Sequence, residues 1–362
     1  MSGPGTIARA AAGMRRAARV AGFGAAFVAA AAASGGAAGG IDPVTVHVFH
    51  DDAIHFFPDD PGLFAAPPVE PADNGRAVER TVTLRPPSGP YRIFARVTTK
   101  PIPQDVSTVH DKWDRAGNVQ LVLPDGPPIE VVKFVTAYGG RTEHRVDVTH
   151  LAPVLHGERT FRGFIDTWVS PAWRMDLEIT FEPVPDEPTP EWMEGWINPD
   201  DDRPPAWVRS VFYEQEMSAE RLAAGPQWVD VEIPDGARRV VLRYLTSGHC
   251  TDGRGADEFV TKNNVILVDD TEAHRFRPWR ADCRDFRDVN PYCRRWFDGS
   301  WSADFDRSGW CPGDAVEPEE IDLTGALPAG PHRIGFLVED VRPEDESGKG
   351  YWRVSAALIG WE

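Results

Sequence analysis

The sequence predicts an all-β protein built from two antiparallel sandwich domains. Segments with the alternating apolar and polar pattern of a half-buried strand recur between turns rich in glycine and proline. These two residue types number 33 each, and no segment of ordinary helix length has a 3.6-residue apolar period. Because a domain averages ~150 residues, a chain of 362 indicates about two domains. The strand period by itself does not select the jelly roll over other antiparallel sandwiches.

Residues 1–40 have the pattern of a signal peptide rather than of a folded element. Four arginines and no acidic residue precede the Ala-rich apolar segment 21–33. That segment is shorter than the ~20 residues that a membrane span needs. We therefore expect export to the periplasm or the medium, with no membrane insertion once the signal is removed. Export would also make disulfides permissible.

The N-terminal domain is predicted to occupy residues 41–185. Turn sequences such as PSGP, PDGPP and YGG separate its apolar or alternating segments. Its strands are predicted at 79–84, 92–99, 118–123, 129–136, 145–150 and 174–184.

An acidic, proline-rich segment at 186–206 is predicted to link the two domains. Its prolines interrupt helix and strand alike. The C-terminal domain, 207–362, repeats the strand pattern of the first. Its strands are predicted at 228–234, 238–248, 263–270, 332–340 and 351–361.

The charge balance excludes two classes of partner. The chain has 56 acidic and 38 basic residues, a formal net charge of −18. Nucleic acids and anionic membranes are both bound through a basic face. No long basic run follows residue 19, so we expect neither partner.

The segment HDKWDRAGN, at 110–118, offers a candidate polar site. Trp113, Asp114 and Arg115 immediately precede a predicted strand. A loop that delivers an indole, an acid and a guanidinium to a strand end suits recognition or catalysis. The alternative is a tryptophan anchor beside a structural Asp–Arg pair.

Two further segments carry candidate acids. In ADEFV, at 256–260, Asp257 and Glu258 are adjacent, so on a strand they face opposite sides and only one points into a site. The segment IDTW places Asp166 and Trp168 along a strand. For that pair a structural role is the favoured alternative unless a site is already suspected.

The segment DRSGWCPGD, at 306–314, predicts an irregular loop, because its two glycines and one proline interrupt regular structure. Such a loop would hold Arg307 and Trp310 rigidly for recognition, and Cys311 would pin it. A structural turn stapled by a disulfide is an equally open interpretation.

The order WDRAGNV, IDTW, ADEF, DRSGWCPG resembles the peptide-N-glycosidase F family. The flanking segments KFVTAYGG, RVDVTHL and LTSGH resemble it too, and the similarity covers roughly 80–185 and 240–325. The resemblance implies two eight-stranded jelly rolls packed side by side. It also implies hydrolysis of the amide between the innermost N-acetylglucosamine and asparagine, so the expected partners are N-linked glycoproteins or glycopeptides.

The resemblance also implies roles for individual residues. Asp114 matches the principal catalytic carboxylate, Glu258 the second acid and Asp166 a third acid that is a glutamate in the family. The carboxylates would act as general acid and base without a metal or other cofactor. Tryptophans in the cleft would stack on sugar faces. The expected substrate-binding residues are Trp113, Arg115, Trp168, His249, Arg307 and Trp310.

Departures from the family pattern keep a second hypothesis open. Ala256 and Val260 stand where the family has cysteines around the second acid, and Asp166 is one methylene shorter than glutamate. These changes favour a non-catalytic or repurposed glycan-binding protein. An insertion at 275–301 is rich in arginine and would bind an anionic ligand or form internal salt bridges. Its interleaved aspartates favour the salt bridges.

The four cysteines, Cys250, Cys283, Cys293 and Cys311, allow three pairings. The resemblance implies that Cys311 pairs with Cys283 or Cys293 and that Cys250 takes the other. No pair has the C-x-x-C spacing of a zinc site, so we expect no metal.

Three histidines cluster in the segment VHVFHDDAIHFF, at 46–57. A strand would place His47 and His50 on opposite faces, so a common metal site would need a turn. We interpret His47, His50 and His55 as outward polar residues of an N-terminal strand.

We expect the protein to be a monomer.

Overall fold

The computed structural model describes residues 42–105, 107–184, 204–250 and 255–362. The predicted signal peptide and most of the predicted linker lie outside these ranges. Within them, the chain forms β-strands, and its helical structure is limited to short 3₁₀ segments. The all-β prediction is confirmed. No helix in the described ranges has the length and apolar character to cross a membrane.

The first sandwich consists of two antiparallel sheets. One has the order β1-β9-β4-β7 and the other the order β2-β3-β8-β5-β6, so the sandwich has nine strands rather than eight because the three-residue β2 is added at an edge. These strands are β1 (Val44–Ile54), β2 (Glu70–Ala72), β3 (Ala77–Leu84), β4 (Tyr91–Pro101), β5 (Ala116–Val122), β6 (Ile129–Val135), β7 (Thr142–Asp147), β8 (Gly157–Ile165) and β9 (Trp173–Pro183).

The second sandwich has eight strands in the described residues. Its sheets have the orders β10-β17-β12-β15 and β11-β16-β13-β14. These strands are β10 (Trp207–Ser218), β11 (Gln227–Ile233), β12 (Arg239–Cys250), β13 (Asn264–Val268), β14 (Thr271–Phe276), β15 (Glu319–Asp322), β16 (Gly330–Val338) and β17 (Gly350–Trp361).

Both sandwiches have jelly-roll connectivity. If β2 is set aside, each places its first, eighth, third and sixth strands in one sheet and its second, seventh, fourth and fifth in the other. This order arises when a long antiparallel hairpin wraps around a common core. Strand order therefore selects the jelly roll, which the alternation of residues had left open.

Burial along the strands shows why these segments pair as they do. β9 alternates strictly between buried and half-buried residues, as expected of a strand with one face on a core. β12 and β17 are instead buried along most of their length. Val208, Ala357 and Ile359 of the second sandwich join the apolar core of the first. The sheet that contains β10, β17 and β12 thus packs against the first sandwich.

Polar groups buried at this junction satisfy one another. Glu130 accepts hydrogen bonds from Asn118 Nδ2 at 2.7 Å and from Ser355 Oγ at 2.5 Å. Lys133 Nζ lies 3.4 Å from the same carboxylate and donates to the Arg353 carbonyl at 3.1 Å. Buried polar groups without partners are costly, so this network favours one specific docking of the two sandwiches.

The N-terminal histidines lie on β1 and just after it. His47 and His50 are exposed, as expected of outward residues. His55 is buried, and its ring nitrogens lie 3.1 Å from Ser170 Oγ and 3.2 Å from the Pro61 carbonyl, so the prediction that it faces outward is wrong. The described residues contain no group of three or more side chains arranged to hold a metal ion.

Candidate active site

Residues from both sandwiches and from the insertion line a cleft of about 1370 Å³. Its lining includes all nine residues to which the sequence assigns catalysis or substrate binding. These are Trp113, Asp114, Arg115, Asp166, Trp168, His249, Glu258, Arg307 and Trp310.

In the first sandwich, strand pairing brings two distant segments to the cleft. The start of β5 lies beside the end of β8, with Gly117 opposite Ile165. Asp114 lies two residues before β5, and Asp166 follows β8 with its amide donating to the Ala116 carbonyl at 2.9 Å. Antiparallel neighbours place the beginning of one strand next to the end of the other. The segments WDR and IDTW therefore meet at one end of this sheet.

In the second sandwich, hydrogen bonds tie two loops to the end of β12. The Ser308 amide donates to the Glu258 carbonyl at 2.8 Å, and Gly248 donates to the Ser308 carbonyl at 2.9 Å. Trp310 Nε1 also donates to the Gly248 carbonyl, at 2.8 Å. The acid of ADEF and the loop DRSGWCPG are thereby held as one unit at the cleft.

The two adjacent acids of ADEF face different surroundings. Asp257 is buried, accepts from Trp352 Nε1 at 3.1 Å and lies 3.4 Å from Lys262 Nζ. Glu258 lines the cleft. Asp257 thus has structural contacts, and Glu258 is the acid available to a ligand.

Arg307 connects the two sandwiches inside the cleft. Only 1% of it is exposed, and its Nε donates to Glu258 Oε1 at 3.0 Å. Its Nη2 lies 3.8 Å from Asp114 Oδ2 and donates to the Tyr138 hydroxyl at 3.2 Å. Carbonyls of Phe305 and Ser302 accept from the same guanidinium at 2.8 and 2.9 Å. One buried cation therefore lies between two carboxylates.

The two carboxylates perturb each other. Burial, followed by repulsion from Asp114, raises the pKa of Glu258 to about 7, although Arg307 opposes the rise. Burial also raises the pKa of Asp114, against the attraction of Arg307 and a hydrogen bond from Tyr138. Tyr138 itself has a pKa raised by burial and by Asp114, so its hydroxyl stays protonated. This cluster is able to hold and release a proton near neutral pH.

Asp166 lies in the same cleft among different partners. Arg76 Nη1 donates to its Oδ1 at 3.0 Å, and Arg353 Nη2 donates to its Oδ2. Arg76 also lies 4.7 Å from the ring centre of Trp168. With both oxygens engaged by guanidinium groups, Asp166 is suited to orienting a ligand or its neighbours.

Arg115 is positioned by an acid that the sequence reasoning missed. The buried Asp111 lies four residues earlier and accepts from Arg115 Nε and Nη2, each at 3.0 Å. It also accepts from Thr167 Oγ1 at 2.6 Å and Trp173 Nε1 at 3.2 Å. Asp111 is part of the HDKWDR segment, but its burial depends on Trp173 of β9 and on Thr167, which follows β8. Tyr138, in KFVTAYGG, was likewise not identified as a site residue.

The aromatic residues of the cleft differ in accessibility. Trp113 and Trp168 are exposed, whereas Trp310 is only 2% exposed. The His249 ring is stacked between Trp310 and Tyr351, at centroid distances of 5.3 and 5.4 Å. Burial, together with nearby positive charge, holds the pKa of His249 well below its usual range. Trp113 and Trp168 are therefore the better platforms for a ligand, and the neutral His249 supports the wall behind Trp310.

The disulfide prediction is correct for one bond and wrong for the other. Cys283 and Cys311 are bonded, and the bond joins the insertion to the DRSGWCPG loop. Cys250 and Cys293 are both thiols. Cys250 ends β12, with its Sγ 3.6 Å from Glu258 Oε2, whereas Cys293 belongs to the insertion.

The favoured interpretation of the insertion is met in part. Arg280 pairs with Asp282 inside the insertion, at 2.7 Å, but Arg280 also pairs with Asp314, at 2.8 Å, and Arg287 pairs with Asp304, and both of these acids follow the insertion. These arginines are therefore committed to acids of the same region.

Comparisons with known proteins agree with this architecture. The family model "Peptide-N-glycosidase F, C terminal" matches residues 218–359. Peptide-N(4)-(N-acetyl-beta-D-glucosaminyl)asparagine amidase F of Elizabethkingia miricola is 22% identical over 269 residues, which are 69% of each chain.

Solved structures extend the likeness over most of the chain. PNGF-II matches with a TM-score of 0.73 and 26% identity, over 88% of this chain and 65% of its own. PNGase F from Flavobacterium meningosepticum matches with a TM-score of 0.66 and 16% identity, over 89% of this chain and 96% of its own. This chain thus spans slightly less than two thirds of PNGF-II. The match to PNGase F confirms the prediction of two jelly rolls, and these matches confirm that the chain resembles the peptide-N-glycosidase F family.

Proposed function

We propose that this protein hydrolyses the amide between N-acetylglucosamine and asparagine in N-linked glycoproteins. The observation that carries the proposal is the buried Asp114–Arg307–Glu258 cluster in a cleft rimmed by exposed tryptophans. An amide is resonance-stabilised, so its hydrolysis needs an activated water and a protonated leaving nitrogen. Two carboxylates with raised pKa values, joined by one cation, supply both requirements.

In the proposed reaction, the ionised carboxylate of Asp114 accepts a proton as water attacks the side-chain amide carbon. The carbon–nitrogen bond then breaks, and the same proton passes to the leaving nitrogen. The first products are an aspartic acid side chain and a neutral glycosylamine, and the new carboxyl group then releases its proton to the solvent to give aspartate, so atoms and charge balance. Arg307 and Arg115 offer guanidinium groups to the developing oxyanion. Glu258 orients the water or a sugar hydroxyl.

The rest of the lining is suited to a sugar. Trp113 and Trp168 present exposed indole faces, and aromatic faces pack well against the apolar faces of pyranose rings. Asp166, held by two arginines, is placed to accept from sugar hydroxyls as a fixed acceptor.

Deglycosylation of a denatured N-glycopeptide, followed by mass spectrometry, tests the proposal. We expect glycan release with conversion of asparagine to aspartate. Asp114→Asn should abolish release, whereas Asp125→Asn, at an exposed turn, should retain the wild-type rate. An intact glycopeptide after incubation with folded protein would refute the amidase proposal.

A glycan-binding protein without catalysis is the second candidate. It is favoured by the engagement of both Asp166 oxygens and by Ala256 and Val260, which flank the second acid where the family has cysteines. Binding of glycopeptide by wild-type protein without turnover would support this function.

The proposal includes export of the protein. The Cys283–Cys311 disulfide supports an oxidising compartment, because such bonds are rare in the cytosol. The predicted cleavage of residues 1–40 is tested by N-terminal sequencing of protein recovered outside the cytoplasm.

A further inference from the structure

The cleft is larger than the proposed chemistry requires. Small-ligand pockets measure roughly 300–1,000 Å³, whereas this cleft measures about 1370 Å³. Much of its lining comes from the insertion and the residues that follow it, not from the segments shared with the family. This part of the lining includes Trp279, Tyr292, Arg294, Trp296, Ser302 and Phe305.

Two tryptophans of the insertion are unusually accessible. Trp279 is 41% exposed and Trp296 is 47% exposed, although both line the cleft. Trp301, in the same segment, instead lies under Arg287 and Arg295, at 5.6 and 5.9 Å from their guanidinium carbons. Trp301 thus anchors the segment, while the indoles of Trp279 and Trp296 remain available to a ligand.

The Cys283–Cys311 disulfide and several backbone hydrogen bonds fix the conformation of the insertion. The Trp296 amide donates to the Ser300 carbonyl at 2.8 Å, and Ser302 donates to the Arg294 carbonyl at 2.8 Å. Arg280 and Arg307 exchange backbone hydrogen bonds of 2.8 and 3.1 Å. The insertion therefore pairs directly with the DRSGWCPG loop, which contains the buried Arg307. A wall constrained in this way loses little entropy when a ligand binds.

We propose that Trp279 and Trp296 form an accessory sugar subsite for pyranose rings of the glycan beyond the innermost disaccharide. This inference rests on the proposed function and identifies large N-glycans as its substrate class. Arg294 and Asp306 line the cleft in the same region and offer a donor and an acceptor for sugar hydroxyls. Exposed indole faces with charged groups at their edges match a ring that is apolar on its face and polar around its rim.

The arrangement fits a sugar better than an extended peptide. Peptides in extended form are commonly bound by pairing with the free edge of a sheet. Here the strands reach the cleft with their ends: Arg115 precedes β5, Asp166 follows β8, and His249 and Tyr351 are each one residue from an end of β12 or β17. The walls of the cleft are therefore made of side chains.

Calorimetric titration with free glycans tests the subsite without any turnover, because free glycans lack the asparaginyl amide. The two probes are chitobiose and a branched oligomannose glycan that contains the same chitobiose core. We expect wild-type protein to bind the larger glycan more tightly. Trp296→Ala and Trp279→Ala should each weaken that binding by about 5- to 10-fold and leave chitobiose binding unchanged.

Phe297→Ala is the matched control. Phe297 is adjacent to Trp296 and fully exposed but does not line the cleft, so this change should alter neither affinity. Three results would overturn the proposal. The wild-type protein could bind the two glycans with equal affinity, it could bind neither glycan, or the tryptophan variants could bind both glycans as the wild type does. An equal loss for chitobiose in variants with wild-type melting temperatures would also overturn it. Selective binding without glycopeptide hydrolysis would sustain the subsite while refuting the amidase.

Discussion

Glu258 should make the stability of this protein depend on pH in a direction opposite to that of an ordinary carboxylate. Its pKa is about 7 in the folded chain, against an ordinary value of 4.5. The folded state therefore binds the proton more tightly than the unfolded state does. The stabilising contribution is complete below pH 4.5 and is lost as the pH rises through about 7.

The magnitude follows from the size of this rise. At about 1.36 kcal/mol per pKa unit, the change from 4.5 to about 7 corresponds to about 3 kcal/mol in the free energy of unfolding. Glu258→Gln keeps the size of the side chain and removes its ionisation. Relative to wild type, the variant should become more stable by about 2–3 kcal/mol between pH 5 and pH 8.

Urea denaturation at both pH values measures this difference, with Glu158→Gln at an exposed position as the control. Comparing variant with wild type cancels the contributions of the carboxylates that do not interact with Glu258, and the measured difference includes the coupling of Glu258 to Asp114. The control should change equally at both pH values. A Glu258→Gln difference that is the same at pH 5 and pH 8 would refute the reasoning that burial and Asp114 raise this pKa.

Three further predictions concern the surroundings of the cluster. Asp111→Asn should lower kcat/KM on a glycopeptide by about 10- to 100-fold and leave the shape of the pH–rate profile unchanged, because Asp111 holds Arg115 through hydrogen bonds and does not itself exchange the proton; an unchanged kcat/KM or a displaced profile would contradict this role. Replacing both Cys283 and Cys311 with serine should cost about 3.5 kcal/mol, as chain entropy predicts for a separation of 28 residues, and a melting temperature equal to that of wild type would contradict it. Gly309→Ala should lower the melting temperature, since φ is +85° and a Cβ would lie 2.8 Å from the Thr246 carbonyl; a tolerated alanine would show that the loop has room to shift.

The strand pattern was predictable because it depends on local chemistry. β4 and β9 were located to within two residues, since alternation and turn sequences are properties of a short segment. β8 and β10 were not among the predicted strands. Their places are set by pairing, β8 between β3 and β5 and β10 beside β17, which a short window of sequence does not contain.

Sequence motifs identified the residues of the cleft, but they did not predict the burial, electrostatic coupling or disulfide bonding of those residues. Motifs in the sequence indicated which acids, arginines and tryptophans belong to the candidate site, and that only one of the two adjacent acids points into it. The tertiary structure alone decided that Arg307 lies between Asp114 and Glu258, that Asp111 holds Arg115, and that Cys250 and Cys293 remain thiols. The physical reason is that burial, electrostatic coupling and disulfide geometry depend on distances between segments far apart in the chain. Those distances exist only after the two sandwiches have packed together.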